Sequence, residues 1–203
     1  MKKNIILIGA GGHAKSCIDV IENSTDNLKI FGLIEKNKNN KKIFNYKIVG
    51  TEDKLKKFLK KIKYALVAFG HIKNLDKRKK VFQRLRKIGF KFLVIKSKTA
   101  HISKNSKIGV GTIIMHGAVI NAGAKIGTNC IINTNCTIEH DVIIGNNCHI
   151  APGAVLNGNV KISDDSFVGS GAIIKEDTRV GKNSIVGANS FLKKNLGSKK
   201  IFY

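Results

Sequence analysis

Residues 132–150 read INTNCTIEHDVIIGNNCHI, with isoleucine at 132, 138, 144 and 150. Working outward from this stretch, every sixth position from Ile102 to Leu192 holds Ile, Leu or Val, sixteen in a row. Four places after each of these sits a small or β-branched residue, among them Cys130, Cys136, Val142, Cys148 and Ala154. A period of six is neither the 3.6 of a helix nor the 2 of a plain strand. It predicts short strands joined by tight corners, each turning one aliphatic and one small side chain inward. Three such strands close an 18-residue triangular coil, and stacked coils bury a continuous aliphatic column.

Within this frame, Glu139-His140-Asp141 fills the corner after Ile138. Corners project outward, so His140 is no core histidine. A carboxylate beside an imidazole fixes its tautomer and stabilises its protonated form, as a general base needs. His149, just before Ile150, is expected to face outward on an adjacent side of the prism. Gly158 lies one coil on from His140, and its bare backbone would let a ligand pass close to the ring. His116, His140 and His149 lack the short spacing that converges on a metal, and none is expected.

The first half follows another rule. Asn4–Ile8 reads as a strand ending in Gly9-Ala10-Gly11-Gly12-His13, followed by a helix with apolar Ala14, Cys17, Ile18 and Ile21. Leu28–Ile34 reads as a second strand, before a lysine- and asparagine-rich loop. Leu55, Phe58, Leu59 and Ile62 keep helical spacing. Tyr64–Phe69 reads as a strand stopped by Gly70, Val81 to Ile88 as a helix, and Phe90–Ile95 as a final strand. This alternation predicts a small parallel α/β sheet over residues 1–96, with the hexapeptides forming a second domain over 97–203. Gly9-x-Gly11-x-x-Ala14 fits the permissive dinucleotide fingerprint, whose glycines let backbone amides approach a phosphate at a helix N-terminus. Glu35 closes the second strand, where a ribose hydroxyl is often held. A domain of this size favours a mononucleotide-sized ligand over NAD.

Composition narrows the function classes. No apolar run in the 203 residues approaches the ~20 needed to span a bilayer, and the segment after Met1-Lys2-Lys3 is too short for a secretory signal. A cytoplasmic location is therefore expected. The four cysteines include no Cys-x-x-Cys pair and read as small hydrophobes. The net charge of +24 comes almost wholly from lysine, clustered at 36–42, 54–63 and 73–80. Such a surface attracts polyanionic ligands, or is simply a solvated face. With four arginines and no tryptophan, nucleic-acid binding is not expected.

Taken in order, GAGGHAK (9–15), INAGAKIG (120–127), INTNCTIEHDVIIGNN (132–147) and NGNVKI (157–162) resemble the bacterial sugar acetyltransferases. These join a Rossmann-like N-domain to a left-handed parallel β-helix of hexapeptide repeats. Two branches are the UDP-4-amino-sugar N-acetyltransferase of bacillosamine synthesis and the sialic acid O-acetyltransferase group. The resemblance covers nearly the whole chain. It implies acetyl-CoA-dependent N-acetylation of a UDP-4-amino-dideoxy-sugar for surface glycan synthesis. Sugar O-acetylation and a non-catalytic sugar-nucleotide scaffold stay open as alternatives. It further implies that His140 is the general base and that Asp141 is the acid raising its basicity, where the amino-sugar branch often has Glu. His149 would contact acetyl-CoA, and Gly158, Ser170 and Ala188 would line the CoA groove. Gly11, Gly12 and His13 match the nucleotide-sugar loop, and Gly70 a substrate-contacting glycine. Glu35 and Lys36 stand where an acidic pair is more usual. Family members are homotrimers with the active site between subunits. The family usually ends in a Gly-x-Pro-Ala segment near the CoA groove, whereas this chain reads Ile201-Phe202-Tyr203; a truncated chain or a weaker CoA grip there is the expectation.

Overall fold

The computed structural model describes residues 2–24, 27–36, 42–70 and 75–203; the lysine-bearing positions 37–41 and 73–74 lie outside the described residues. The N-terminal half runs β1 (Lys3–Ile8), α1 (Gly12–Glu22), β2 (Leu28–Ile34), β3 (Lys42–Ile43), β4 (Tyr46–Gly50), α2 (Leu55–Phe58), β5 (Tyr64–Val67) and α3 (Leu75–Ile88). The sheet order is β3-β4-β2-β1-β5, parallel throughout except for the β3–β4 hairpin. β1 is a continuous apolar run because both its faces are covered, as parallel strands require. Ile5 and Leu7 pack with Ala14, Cys17 and Ile18 of α1, while Ile6 and Ile8 pack on the other face with Leu55, Val81, Phe82 and Leu85.

Two local expectations are corrected, and one element was unanticipated. The helix expected across Leu55–Ile62 is a 3₁₀ turn followed by a single α-turn, 55–58. Lys56/Lys60 and Lys57/Lys61 would repel at i,i+4 in a longer helix, while Leu55 and Ile62 are buried without one. The strand expected over Phe90–Ile95 is reduced to an isolated bridge between Lys91 and Tyr64. Ile95–Lys96 pairs instead with Ile113–Ile114 of the following sheet. The β3–β4 hairpin, hidden in the lysine-rich stretch, is an element the sequence pattern did not predict.

From Ile95 onward, two-residue strands recur every six residues and pair in parallel with partners one coil away. They form the three faces of a left-handed parallel β-helix. The first face carries the strands starting at Ile113, Ile131, His149, Phe167 and Ile185. The second carries those at Val119, Thr137, Val155, Ile173 and Phe191, and the third those at Lys107, Lys125, Ile143, Lys161 and Arg179. The inward aliphatic column from Ile114 to Leu192 and its small partners form one buried cluster. Every corner from Gly111 to Asn189 places its second residue at positive φ, and that residue is always Gly, Asn or Asp. A turn with φ > 0 at its third position accepts few other residues.

The two halves share a core: Ile113, Met115 and Ile131 of the first face pack into the α1 cluster. Beside it, Arg78 of α3 is fully buried. Its Nη1 donates to the carbonyls of Val67 (2.6 Å) and Phe69 (2.8 Å), and its Nε to that of Asn129 (3.2 Å). Asn129 begins a buried amide ladder down one corner, donating to Asn147 (3.0 Å), which donates to Asp165 (2.9 Å). Lys79 closes the ladder with a 2.8 Å ion pair to Asp165, which is itself buried. Burial lowers the Arg78 pKa to about 10, so it stays charged at neutral pH. Only a planar fork reaches carbonyls from two chain segments at once. Among the described residues no helix is long and apolar enough to cross a membrane.

Two expected outcomes follow from this packing. All four cysteines are free and buried, and burial pushes Cys17 and Cys136 up to about 12, far above neutral pH. Iodoacetamide should therefore label none in the folded chain and all four in guanidinium; intact-mass spectrometry showing native labelling contradicts this. Arg78→Met leaves three buried carbonyls without their donor and should lower unfolding free energy by about 2–4 kcal/mol in a denaturant titration.

Candidate active site

The corner after Ile138 presents an imidazole to solvent. The His140 and Asp141 side chains are 62% and 60% exposed, and His140 Nδ1 lies 3.0 Å from Asp141 Oδ2. With Nδ1–H donating to that carboxylate, Nε2 keeps its lone pair and can accept a proton. Asp141 occupies the positive-φ corner position (φ 60°), which Asp tolerates and longer side chains do not favour. One coil on, a Cβ added to Gly158 would come within 2.7 Å of His140 Cε1 and Nε2. A side chain at 158 would push the exposed ring aside, so the bare backbone there leaves room for the imidazole.

The glycine loop divides differently. Gly9 is conformationally required, with φ +111° and Phe69 against its Cα. Gly11 and Gly12 have ordinary φ, and a Cβ on either would meet nothing within 4 Å. The fold gives no reason for glycine at these two positions, whereas close backbone approach by a ligand does. Gly11 is the N-cap of α1, with no side-chain cap bond and no acidic residue in the first turn. The first amides of the helix are therefore open to an anion, with the helix dipole favouring it. His13 sits half-buried in that turn. The Glu35 carboxylate accepts from the Ala10 amide (2.8 Å) and the Lys36 amide (2.7 Å), tying the end of β2 to the loop. These two bonds hold the loop's shape. Lys36 is exposed beside it.

His149 is packed more closely than an outward position suggests. It points out of the prism but is only 7% exposed. Its Nε2 lies 3.1 Å from Asn133 Nδ2, its ring meets Phe167 edge-on at 5.1 Å, and Gly70 sits over its Cε1. Gly70 and His149, assigned to different ligands, are thus neighbours. His149 is on the first face, while the His140 corner joins the second face to the third. In one chain the two histidines lie on opposite sides of the prism. The groove residues also separate. Gly158 shares the His140 edge, whereas Ser170 and Ala188, both exposed, stack on the edge between the first and second faces. Arg78, Lys79, Asn129 and Asp165 were not anticipated, although Asn129, Asn147 and Asp165 recur at the 18-residue coil period. His116 bonds Ser97 Oγ (2.7 Å) and Asp19 (2.8 Å), joining α1 to the β-helix. Among the described residues no group of three or more His, Cys, Asp or Glu is placed to hold a metal ion.

The PglD N-terminal domain family matches residues 4–85, and the six-repeat bacterial transferase hexapeptide family matches 123–158 and 159–194. No curated protein matches the chain. PerB from Caulobacter crescentus, solved in complex with CoA and GDP-perosamine, is 27% identical with a TM-score of 0.90, over 98% of this chain and 92% of that one. The acetyltransferase domain of PglB from Neisseria gonorrhoeae FA1090, in complex with acetyl coenzyme A, is 27% identical with a TM-score of 0.89, covering 97% and 94%. WeeI from Acinetobacter baumannii AYE is 25% identical with a TM-score of 0.86, covering 98% and 96%. Residues 4–85 thus match a PglD N-terminal domain and residues 123–194 match bacterial transferase hexapeptide repeats, and the three solved structures are similar to this chain across both parts.

Proposed function

We propose that the protein transfers the acetyl group of acetyl-CoA to the amino group of a nucleotide-linked amino sugar, for surface glycan synthesis in the cytoplasm. The observation that carries this reading is the exposed His140–Asp141 pair lying on Gly158. It is joined by the uncapped, glycine-lined N-terminus of α1, which suits a nucleotide diphosphate. The likeness to a structure holding CoA and GDP-perosamine supports the same reading.

In the reaction, the sugar amine attacks the thioester carbonyl as His140 Nε2 takes its proton. The new N–C bond forms and the C–S bond breaks, and the imidazolium passes its proton to the departing sulfur, giving the CoA thiol. Asp141 stabilises the imidazolium formed on the way. Holding both reactants in place supplies much of the acceleration.

One chain does not bring His140 and His149 together, so the site is completed between copies in a homotrimer. The second face suits such packing: its outward column is Val119, Thr137, Val155, Ile173 and Phe191, with Ile173 42% and Phe191 48% exposed. Gly11, Gly12, His13, Glu35, Lys36 and Gly70 are assigned to the nucleotide sugar. His149, Gly158, Ser170 and Ala188 are assigned to acetyl-CoA.

Incubation with acetyl-CoA and a panel of UDP-, GDP- and CMP-amino sugars, read by mass spectrometry, should give an acetamido product. Absence of any acetylated sugar, or acetylation only of hydroxyls, overturns the proposal. His140→Ala should lower turnover ~10²–10⁴-fold with the fold intact, and Gly158→Ala should do nearly as much by displacing the ring. Mixing His140→Ala with His149→Ala chains should restore part of the lost turnover if neighbouring copies share each site. A mixture as inactive as its components refutes the shared site.

A further inference from the structure

The charge of this protein is unevenly placed. Residues 1–96 carry 25 Lys/Arg against 7 Asp/Glu, whereas the remainder carries 12 against 6. On α3, Lys77, Lys80, Arg84 and Lys87 recur at i, i+3, i+7 and i+10, one exposed stripe opposite the buried Val81, Phe82 and Leu85. Arg84 reaches Glu52 (3.1 Å) at the start of the adjoining 54–63 segment, whose six lysines are all exposed. Along the α3 stripe, beside Glu52, lies a hollow of about 400 Å³ lined by Glu52, Lys77, Lys80, Val81 and Arg84. Among the described positions, the acidic residues on these segments are Glu52, Asp53 and Asp76, and Asp164 and Asp165 of the β-helix approach α3 at Lys79. This layer covers the face of the sheet opposite α1, so the catalytic reading makes no use of it.

We infer that the α2–α3 face docks the protein on an anionic membrane surface, with the hollow receiving a lipid phosphate. Clustered cations on a convex helical layer give the long-range attraction that anionic headgroups exert on basic segments. Lysines predominate, and they act as flexible point charges suited to mobile headgroups. A single-stranded nucleic acid would call for a row of open aromatics along the stripe, whereas the one ring against it, Phe69, is half-buried beneath Lys77 (5.3 Å). Docking is electrostatic, with no helix entering the bilayer.

The test uses the full chain in co-sedimentation with vesicles of phosphatidylcholine, with and without phosphatidylglycerol. Binding is expected only to the anionic vesicles and should vanish near ~1 M salt, where the Debye length is ~3 Å. K80E/R84E/K87E should weaken it more than about tenfold. K107E/K125E/K161E, an equal charge change on the third face of the β-helix, should leave it nearly unchanged. Equal binding to neutral vesicles, or equal loss in both variants, overturns the inference. A duplex or single-stranded oligonucleotide that strips the wild type from the vesicles, and fails to bind K80E/R84E/K87E, would reassign the face to nucleic acid.

Discussion

One backbone demand recurs through the β-helix and organises everything attached to it. A coil of eighteen residues must turn three corners, and the second residue of each corner takes a positive φ. Gly, Asn and Asp meet this demand at every corner from Gly111 to Asn189. With the corners fixed, the inward aliphatic column stacks at strand spacing, and each outward side chain falls at a set place on a face or an edge. Asp141 shows how the demand becomes chemistry. The residue that lets the chain turn is an acid, and its carboxylate lies where the preceding His140 Nδ1 can reach it. The corner thus makes the pair without extra residues, and Gly158 one coil on leaves room for the ring.

The N-terminal half is held to the prism at a shared junction. That attachment is partly apolar, through Ile113, Met115 and Ile131. It is also partly polar, through Arg78 and Lys79 gripping the two ends of the Asn129–Asn147–Asp165 ladder. The polar part gives orientation that apolar contact lacks. Arg78 holds the strand end that leads to Gly70, and the ladder runs along the corner that leads into His149. Adjacent residues of α3 therefore set the position of Gly70 over His149. A buried guanidinium bound only to carbonyls is costly, and its cost is offset by satisfying three carbonyls that would otherwise be stranded at the junction.

How much of this was legible follows from distance along the chain. The inward column was legible because its period is six and each coil repeats it. The corner column carries an equally plain code, Gly, Asn or Asp at every sixth place, yet it is polar and does not announce itself as apolar periodicity does. The pairing of His140 with Asp141 needed only adjacency. His149 could not be placed: its outward position was readable, but its burial depends on Gly70, nearly eighty residues earlier. Arg78 looked like one more cation in a basic helix, and only the fold turns it inward. The helix expected through Ile62 failed because apolar spacing was satisfied by a turn, while repulsion among lysines opposed a longer helix. The β3–β4 hairpin was masked by lysines that are exposed there and say little about backbone pairing.

The separation of His140 and His149 has a consequence for how catalysis and assembly depend on each other. A triangular prism has no concave surface of its own on which two reactants can meet. Its edges are convex, so an imidazole placed on one, as His140 is, cannot by itself exclude water from a ligand. A second prism laid alongside converts an edge and a face into a cleft, and an apolar outward column such as the one containing Ile173 and Phe191 gives reason for that approach. By covering part of the first face, the N-terminal half leaves the other two open, and under the proposed assembly it would restrict which edge of one copy can meet which face of the next.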